Sequence, residues 1–385
     1  MKRNLLAIAI PALLIAGTAN ASIEVWNKDS NKVDFYGRVY ALNYITDREN
    51  QTGEGDKTTA RLGMSGQTQI TDSVTGYGRW EYEAETGDNA DNETRYAFAG
   101  LNFGDFGSFD YGRNDGVLKT LTSYTDVLPE FGGDASDNDL YALTARTKAV
   151  ATYRNSDFFG LVNGLRFAVQ YADNGDNSST QHFSKYEHND GHDSAEAWGT
   201  VVDWDVFDTG LSIGAGYAQT GGHKDAKAWS AGIKYDNNNL YLAALYIQGK
   251  QKYGWEHAST LTNHKDADLK TKGYELVAQY GIDFEIGRLT PSVAYIQHRV
   301  QDASSVSRSG DSGLKGNDLV KYVDVGLTYD FNKNLQAILD YKINLLDKDD
   351  IGARRSLYGD NYKDHHSIIN ANTKDTVALG LIYQF

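Results

Sequence analysis

Asp126, Glu130 and Asp134 stand at intervals of four in the stretch Ser123-Tyr124-Thr125-Asp126-Val127-Leu128-Pro129-Glu130-Phe131-Gly132-Gly133-Asp134. Carboxylates shown to confined water draw cations and polarise passing solutes. The surrounding stretch, from Asn114 to Leu143, does not alternate between apolar and polar residues, although the sequence on both sides of it does. It is too long for a tight turn, and loops of this length inside a fold are usually functional. Pro129 fixes its own φ and pushes Leu128 toward an extended conformation, and Gly132-Gly133 lets the backbone turn. On these residues alone, an acidic solvated surface loop reads as well as a loop folded into the mouth of a β-barrel. The rest of the chain decides between them.

Bond-making chemistry has little support. An outer-membrane hydrolase needs a nucleophile, a base and an orienting group held together. Gly63-Met64-Ser65-Gly66 lacks the spacing of a nucleophile elbow, and Ser65 reads as a strand serine facing a lumen. His188, Asp190, His192 and Asp193 cluster in a long loop, with a spacing that matches no standard metal site. The chain has no cysteine, which excludes disulfides, thiol catalysis and thiolate metal sites. No cofactor and no metal are expected.

The elements that would hold the acidic row are strands. Met1-Lys2-Arg3-Asn4 is basic, Leu5 to Gly17 is mostly apolar, and Ala19-Asn20-Ala21 is a small-x-small site. Residues 1–21 therefore read as a cleaved signal peptide, and residues 22–385 as one domain. Removing Lys2 and Arg3 leaves 35 basic groups against 52 acidic ones, a net of −17, which argues against nucleic acid as a partner. Beyond the signal no run of ~18 apolar residues exists, so no transmembrane helix is expected. A transmembrane barrel would also look hydrophilic on average, because each strand alternates.

About sixteen segments alternate with period two. Val33, Phe35, Gly37, Val39 and Ala41 oppose Asp34, Tyr36, Arg38 and Tyr40. Leu62, Met64 and Ile70 oppose Arg61, Ser65, Gln67 and Gln69. Trp80 and Tyr82 oppose Arg79 and Glu81, and the last segment sets Val377, Leu379, Leu381, Tyr383 and Phe385 against Thr376, Ala378 and Gln384. Aromatic residues recur near segment ends, as in the girdles of membrane barrels. Connections are expected to alternate strictly between short and long, the long ones near 45–57, 114–143, 174–193, 252–269, 301–316 and 347–373.

This phase places Arg38, Arg61, Arg95 and Arg146 on polar, inward faces. Arg95 has Tyr96 and Phe98 on the opposite phase. Arg146 shares its phase with Lys148 and Arg154, opposite Ala149, Ala151 and Tyr153. Arginines facing an acidic loop across a narrow aqueous path would set up a transverse field, strengthened by low-dielectric walls.

The whole chain resembles the general diffusion porins of Gram-negative outer membranes, of the trimeric matrix-porin and osmoporin type. The resemblance is carried by Val33-Asp34-Phe35-Tyr36-Gly37-Arg38, Ala60-Arg61-Leu62-Gly63, Thr75-Gly76-Tyr77-Gly78-Arg79-Trp80-Glu81-Tyr82, Thr94-Arg95-Tyr96-Ala97-Phe98-Ala99-Gly100-Leu101, Pro129 to Asp134, Ala151 to Leu161 and the terminal Tyr383-Gln384-Phe385. It implies an all-β, sixteen-stranded antiparallel transmembrane barrel whose third external loop folds into the pore. It also implies a homotrimer in the cell outer membrane, contacting lipids and lipopolysaccharide. Asp126, Glu130 and Asp134 would form the acidic side of the constriction. Arg38, Arg61, Arg95 and Arg146 would form the basic side. Phe385 would be the signal read by the barrel-assembly machinery, and external loops would serve phage or bacteriocin attachment.

Asp115, Lys119 and Lys148 depart from the family pattern and are expected to modify selectivity. Glu83, Glu85, Asp88 and Glu93 are the acids available for a second-loop latch onto a neighbouring subunit. Ala135-Ser136-Asp137-Asn138-Asp139 lacks the lysine of phosphate-selective members. The expected function is a non-enzymatic, water-filled, weakly cation-selective channel for passive diffusion of ions and small hydrophilic solutes. A phosphate- or sugar-selective porin is the alternative, ahead of an outer-membrane hydrolase.

Overall fold

The computed structural model describes residues 22–46, 54–86, 92–136, 141–173, 196–221, 226–253, 267–304, 315–347, 350 and 374–385. Among the described residues nineteen strands join one antiparallel sheet. Three of them, Ser22–Lys28, Gly55–Asp56 and Ile282–Asp283, are short pieces beside longer strands, which leaves sixteen in the wall. The last of these, Thr376–Gln384, pairs with the first, Asn31–Thr46, from Thr376↔Thr46 to Gln384↔Arg38. The sheet is thus a closed barrel. Closure is what a membrane demands, because an open edge would leave backbone N–H and C=O groups unpaired in hydrocarbon.

The seam uses both ends of the described chain. Ser22–Lys28 runs along the lower half of the first strand, with Ser22 opposite Tyr36. Phe385 takes up the pairing immediately above it: its N–H donates to the Gly37 carbonyl at 3.0 Å, and the Gly37 N–H donates back at 2.9 Å. The Phe385 ring lies so close that a Cβ on Gly37 would sit 2.8 Å from it.

The wall is apolar outside and polar inside, as the alternation predicts. Val39, Leu62, Met64, Trp80, Leu379, Leu381 and Tyr383 are exposed, whereas Tyr40, Glu81, Thr376 and Gln384 are buried. The loop lengths are less regular than expected. A nine-residue connection, 156–164, lies at the end with the short turns, and a six-residue one, 221–226, lies at the end with the long loops. In the former, Asp157, Phe158 and Phe159 all have positive φ. That left-handed turn is held by the Phe159 N–H on Asn155 Oδ1 and the Gly164 N–H on Asp157 Oδ1, both at 2.7 Å.

The barrel is not filled by its own strands. Between the fifth strand, Ser108–Asp115, and the sixth, Arg146–Asn155, the described residues 116–136 and 141–145 lie in the interior, the connection starting and ending two residues later than the sequence suggests. Its apolar side chains build the two interior clusters. Leu118, Leu121, Tyr124 and Tyr141 pack on Ala168, Val201, Leu245 and Ile247. Phe131 and Ala135 pack with Tyr40, Val277, Ile296, Tyr322 and Ile338.

Candidate functional site: an acidic loop facing an arginine wall

The inserted loop fits because the wall carries glycine where the loop comes closest. A Cβ on Gly273 would come within 2.3 Å of the Ala135 carbonyl, and one on Gly249 within 2.4 Å of the Tyr141 ring. Wall carboxylates then take the loop's backbone donors. Asp340 Oδ2 accepts the N–H groups of Glu130 and Phe131 at 2.9 and 3.0 Å. Glu275 accepts the Ala135 N–H at 3.1 Å and the Thr125 hydroxyl. Tyr241 and Gln279 donate to the carbonyls of Tyr124 and Val127 at 2.6 and 2.7 Å. At the far end Tyr141 Oη lies 3.0 Å from His298 Nε2. Such bonds contribute roughly 1 kcal/mol each, and leaving the buried partners unmade would cost more.

This docking leaves the three acids in different surroundings rather than in one uniform row. Asp126 lies 3.5 Å from Lys119 Nζ, an ion pair within the loop itself. Glu130 accepts hydrogen bonds from the hydroxyls of Tyr40, at 2.7 Å, and Tyr44. Asp134 lies 3.8 Å from Lys342 Nζ, which also sits 4.5 Å above the Phe131 ring. Asp115 ends the fifth strand and accepts the Tyr96 hydroxyl at 2.9 Å. Asp137 lies outside the described residues, as does Asp139.

Opposite the loop, Arg38 and Arg61 are cross-strand partners. Arg61 is in turn the partner of Glu83. Glu83 also accepts Arg95 Nη1 at 2.7 Å and lies 3.8 Å from Arg38. Behind it Glu81, only 1% exposed, takes Arg79 at 2.6 Å, Arg95 Nε at 2.7 Å and Arg61 Nε at 3.5 Å. Glu93 holds Arg113 at 3.0 Å and Arg146 at 3.3 Å. The basic wall therefore contains its own carboxylates. The Tyr96 ring stacks among these guanidinium groups, with Arg79 4.1 Å from its centroid and Arg146 6.0 Å. Tyr40 joins the two sides: its ring lies 5.4 Å from the Arg38 guanidinium and its hydroxyl reaches Glu130. Among the described residues no ion pair joins Arg38, Arg61 or Arg95 to Asp126 or Glu130.

A family model described as Gram-negative porin matches residues 28–385. The chain belongs to the Gram-negative porins. Outer membrane porin N of Escherichia coli K12 is 44% identical, and outer membrane porin C of Enterobacter cloacae 43%, each comparison covering 100% of both chains. The solved structure of OmpF from Salmonella typhi in complex with daunomycin matches with a TM-score of 0.72 at 32% identity, covering 94% of this chain and 100% of that one. The porin is accordingly an outer-membrane β-barrel and not an enzyme; it is a non-specific channel for passive diffusion.

Several details of the porin's site depart from the alternation. The register slips between Glu81 and Tyr82 on the third strand, so Arg95 has no direct partner there. The bulge lets Arg95 reach Glu81 and Glu83 while Tyr96 and Phe98 are also buried inside; the opposite phase expected for those two rings does not hold. A second slip, between Gly112 and Asn114, coincides with a positive φ at Ala149. It places Thr147 opposite Asn114 and leaves Lys148 exposed, so the phase cannot be carried from Arg154 back to Arg146. Arg146 still reaches Glu93. Of the acids considered for a latch, Glu83 and Glu93 are engaged by the arginine wall, and Asp88 lies outside the described residues. So do the His188 cluster and most of the long external segments. Glu81 and Arg79 were visible as inward positions of the third strand, whereas Arg113, Lys342, Asp340 and Glu275 gave no comparable signal.

Proposed function

We propose that the porin passes ions and small hydrophilic solutes between the loop acids Asp126, Glu130 and Asp134 and the wall arginines Arg38, Arg61, Arg95 and Arg146, with weak cation selectivity. The observation that carries this reading is the separation of the two sides: Glu130 is reached through Tyr40 rather than directly by an arginine. Groups held apart and facing water keep their fields in the aqueous path. The wall's arginines are partly cancelled by Glu81, Glu83 and Glu93, and the net of −17 over residues 22–385 makes the approaches negative. Cations are enriched within a Debye length, ~8 Å at physiological salt. Lys119 tempers Asp126, Asp115 adds charge at the loop's root, and Lys148 acts from the exposed bulge.

Reversal potential under a KCl gradient tests this. The wild type should prefer potassium, with the preference shrinking as salt rises. Asp126→Asn with Glu130→Gln should lower the cation-to-anion permeability ratio by about two- to threefold, the size expected for charges a few ångströms from the path in water. Arg61→Ala with Arg95→Ala should raise the ratio and widen the passage, since Glu81 and Glu83 then lose partners. Anion preference in the wild type, or equal potentials in all three proteins, would defeat the reading.

Residues 1–21 are proposed to be removed as a signal peptide, and three copies to form a homotrimer through the weakly charged outer face at Val33, Phe35, Gly37 and Val39. On an unheated gel in mild detergent the protein should migrate as a trimer and collapse to monomer on heating. A monomer under both conditions would refute the assembly. Lipopolysaccharide and lipids would cover the remaining apolar band.

A further inference from the structure

We infer that Glu83 is a selectivity-determining residue of this porin: a carboxylate within the basic wall that sets how much of the arginines' charge reaches the ion path. This rests on the reading of loop and wall as opposite sides of that path. Three of the four arginines assigned to the wall converge on this one side chain. Arg61 binds it through Nε at 2.8 Å and through Nη2. Arg95 Nη1 donates at 2.7 Å, and Arg38 lies 3.8 Å away. The three wall carboxylates differ in position. Glu81 is enclosed behind the guanidinium groups and Glu93 stands 40% exposed at the start of the fourth strand, Glu93–Asn102. Glu83 belongs to the cross-strand row Arg38, Arg61, Glu83, at the level where Tyr40 bridges toward Glu130.

The charge count at this level makes the consequence concrete. Arg38, Arg61, Arg79 and Arg95 face Glu81 and Glu83, so removing the Glu83 charge removes half of the negative charge at this level, leaving Glu93 at the start of the fourth strand. The guanidinium groups lose nothing in number and gain in field, because an opposite charge in direct contact had cancelled them. One unit charge at such range in an aqueous passage alters the concentrations of cations and anions in opposite senses.

The test is reversal potential under a low-salt KCl gradient for wild type, Glu83→Gln and Glu83→Asp, each checked for heat-modifiable mobility. Glu83→Gln should lower the cation-to-anion permeability ratio by roughly two- to fivefold, and the shift should fade near 1 M salt, where the Debye length is ~3 Å. Glu83→Asp keeps the charge and should restore most of the wild-type potential. An unchanged potential in Glu83→Gln overturns the proposal. So do equal shifts in both variants, which would mean that the side chain acts by holding the arginines in place. Should Glu83→Gln fail to assemble, the same carboxylate is removed in an Arg61→Gln background, where arginine crowding is relieved. The double variant should then be less cation-selective than Arg61→Gln alone, and equality of the two overturns the proposal. An anion-selective wild type would instead defeat the underlying reading, whatever Glu83 does.

Discussion

Replacing Gly273 by valine should convert the porin into a wider and noisier channel. The new Cβ would lie 2.3 Å from the Ala135 carbonyl oxygen and 2.8 Å from Ile247 Cγ2. The first contact is with backbone, which has no rotamer to yield, so the loop itself must lift. Lifting it separates the Ala135 N–H from Glu275 and carries Asp134 away from Lys342. Overpacking of this kind costs roughly 1–3 kcal/mol, which lowers the docked-to-undocked ratio of the loop by about 5- to 150-fold. Liposome swelling with sugars of increasing size should show a raised exclusion limit, and single-channel recordings should show larger, fluctuating conductance. Gly273→Ala should have the same effect, more weakly. A folded valine variant with the wild-type exclusion limit and steady conductance would mean that the glycine recess does not position the loop.

Deleting Phe385 should reduce outer-membrane yield by an order of magnitude or more. Its two backbone hydrogen bonds with Gly37 close the seam between Ser22–Lys28 and Thr376–Gln384, and together contribute roughly 2 kcal/mol. The deletion also exposes the Gly37 backbone to hydrocarbon, where an unpaired polar group is costly. Two measurements separate the seam from a recognition signal. If residue 385 acts only as a signal for the assembly machinery, the shortened protein should still refold in vitro into detergent while failing to accumulate in cells. If it acts through the seam, both yields should fall. Undiminished yield in both settings would remove any role for this residue in assembly.

The barrel was legible because a lipid-facing strand leaves little freedom. Val39, Leu62, Met64 and Leu379 face outward where period two puts them, and any one-residue slip would send them inside. The acidic loop was legible from the break in that period and from the Pro-Glu-Phe-Gly-Gly-Asp run. Two kinds of information were hidden. Bulges at Arg95 and Ala149 add one residue to one strand only, so parity counted through them gives the wrong face for Tyr96 and Phe98 and breaks the phase between Arg154 and Arg146. Partnership across strands was hidden as well. Glu83 belongs to a loop end when read along the chain, yet the sheet's register sets it beside Arg61. The wall glycines gave no sign of their purpose, because a recess is defined only by what fills it.

The inserted loop carries two chemistries on two faces. Toward the wall it offers apolar side chains and backbone donors that enter recesses allowing almost no change of shape. Away from those recesses it offers Asp126, whose ion pair is with Lys119 of the loop itself. On the function proposed above, permeability is thereby separable from folding at this residue. Under pressure from a harmful charged solute, a bacterial lineage could alter Asp126 without disturbing the hydrogen bonds that dock the loop on the wall. Drift at Gly249 or Gly273 would be eliminated at the first step. The barrel is in this sense a frozen frame that carries an evolvable filter.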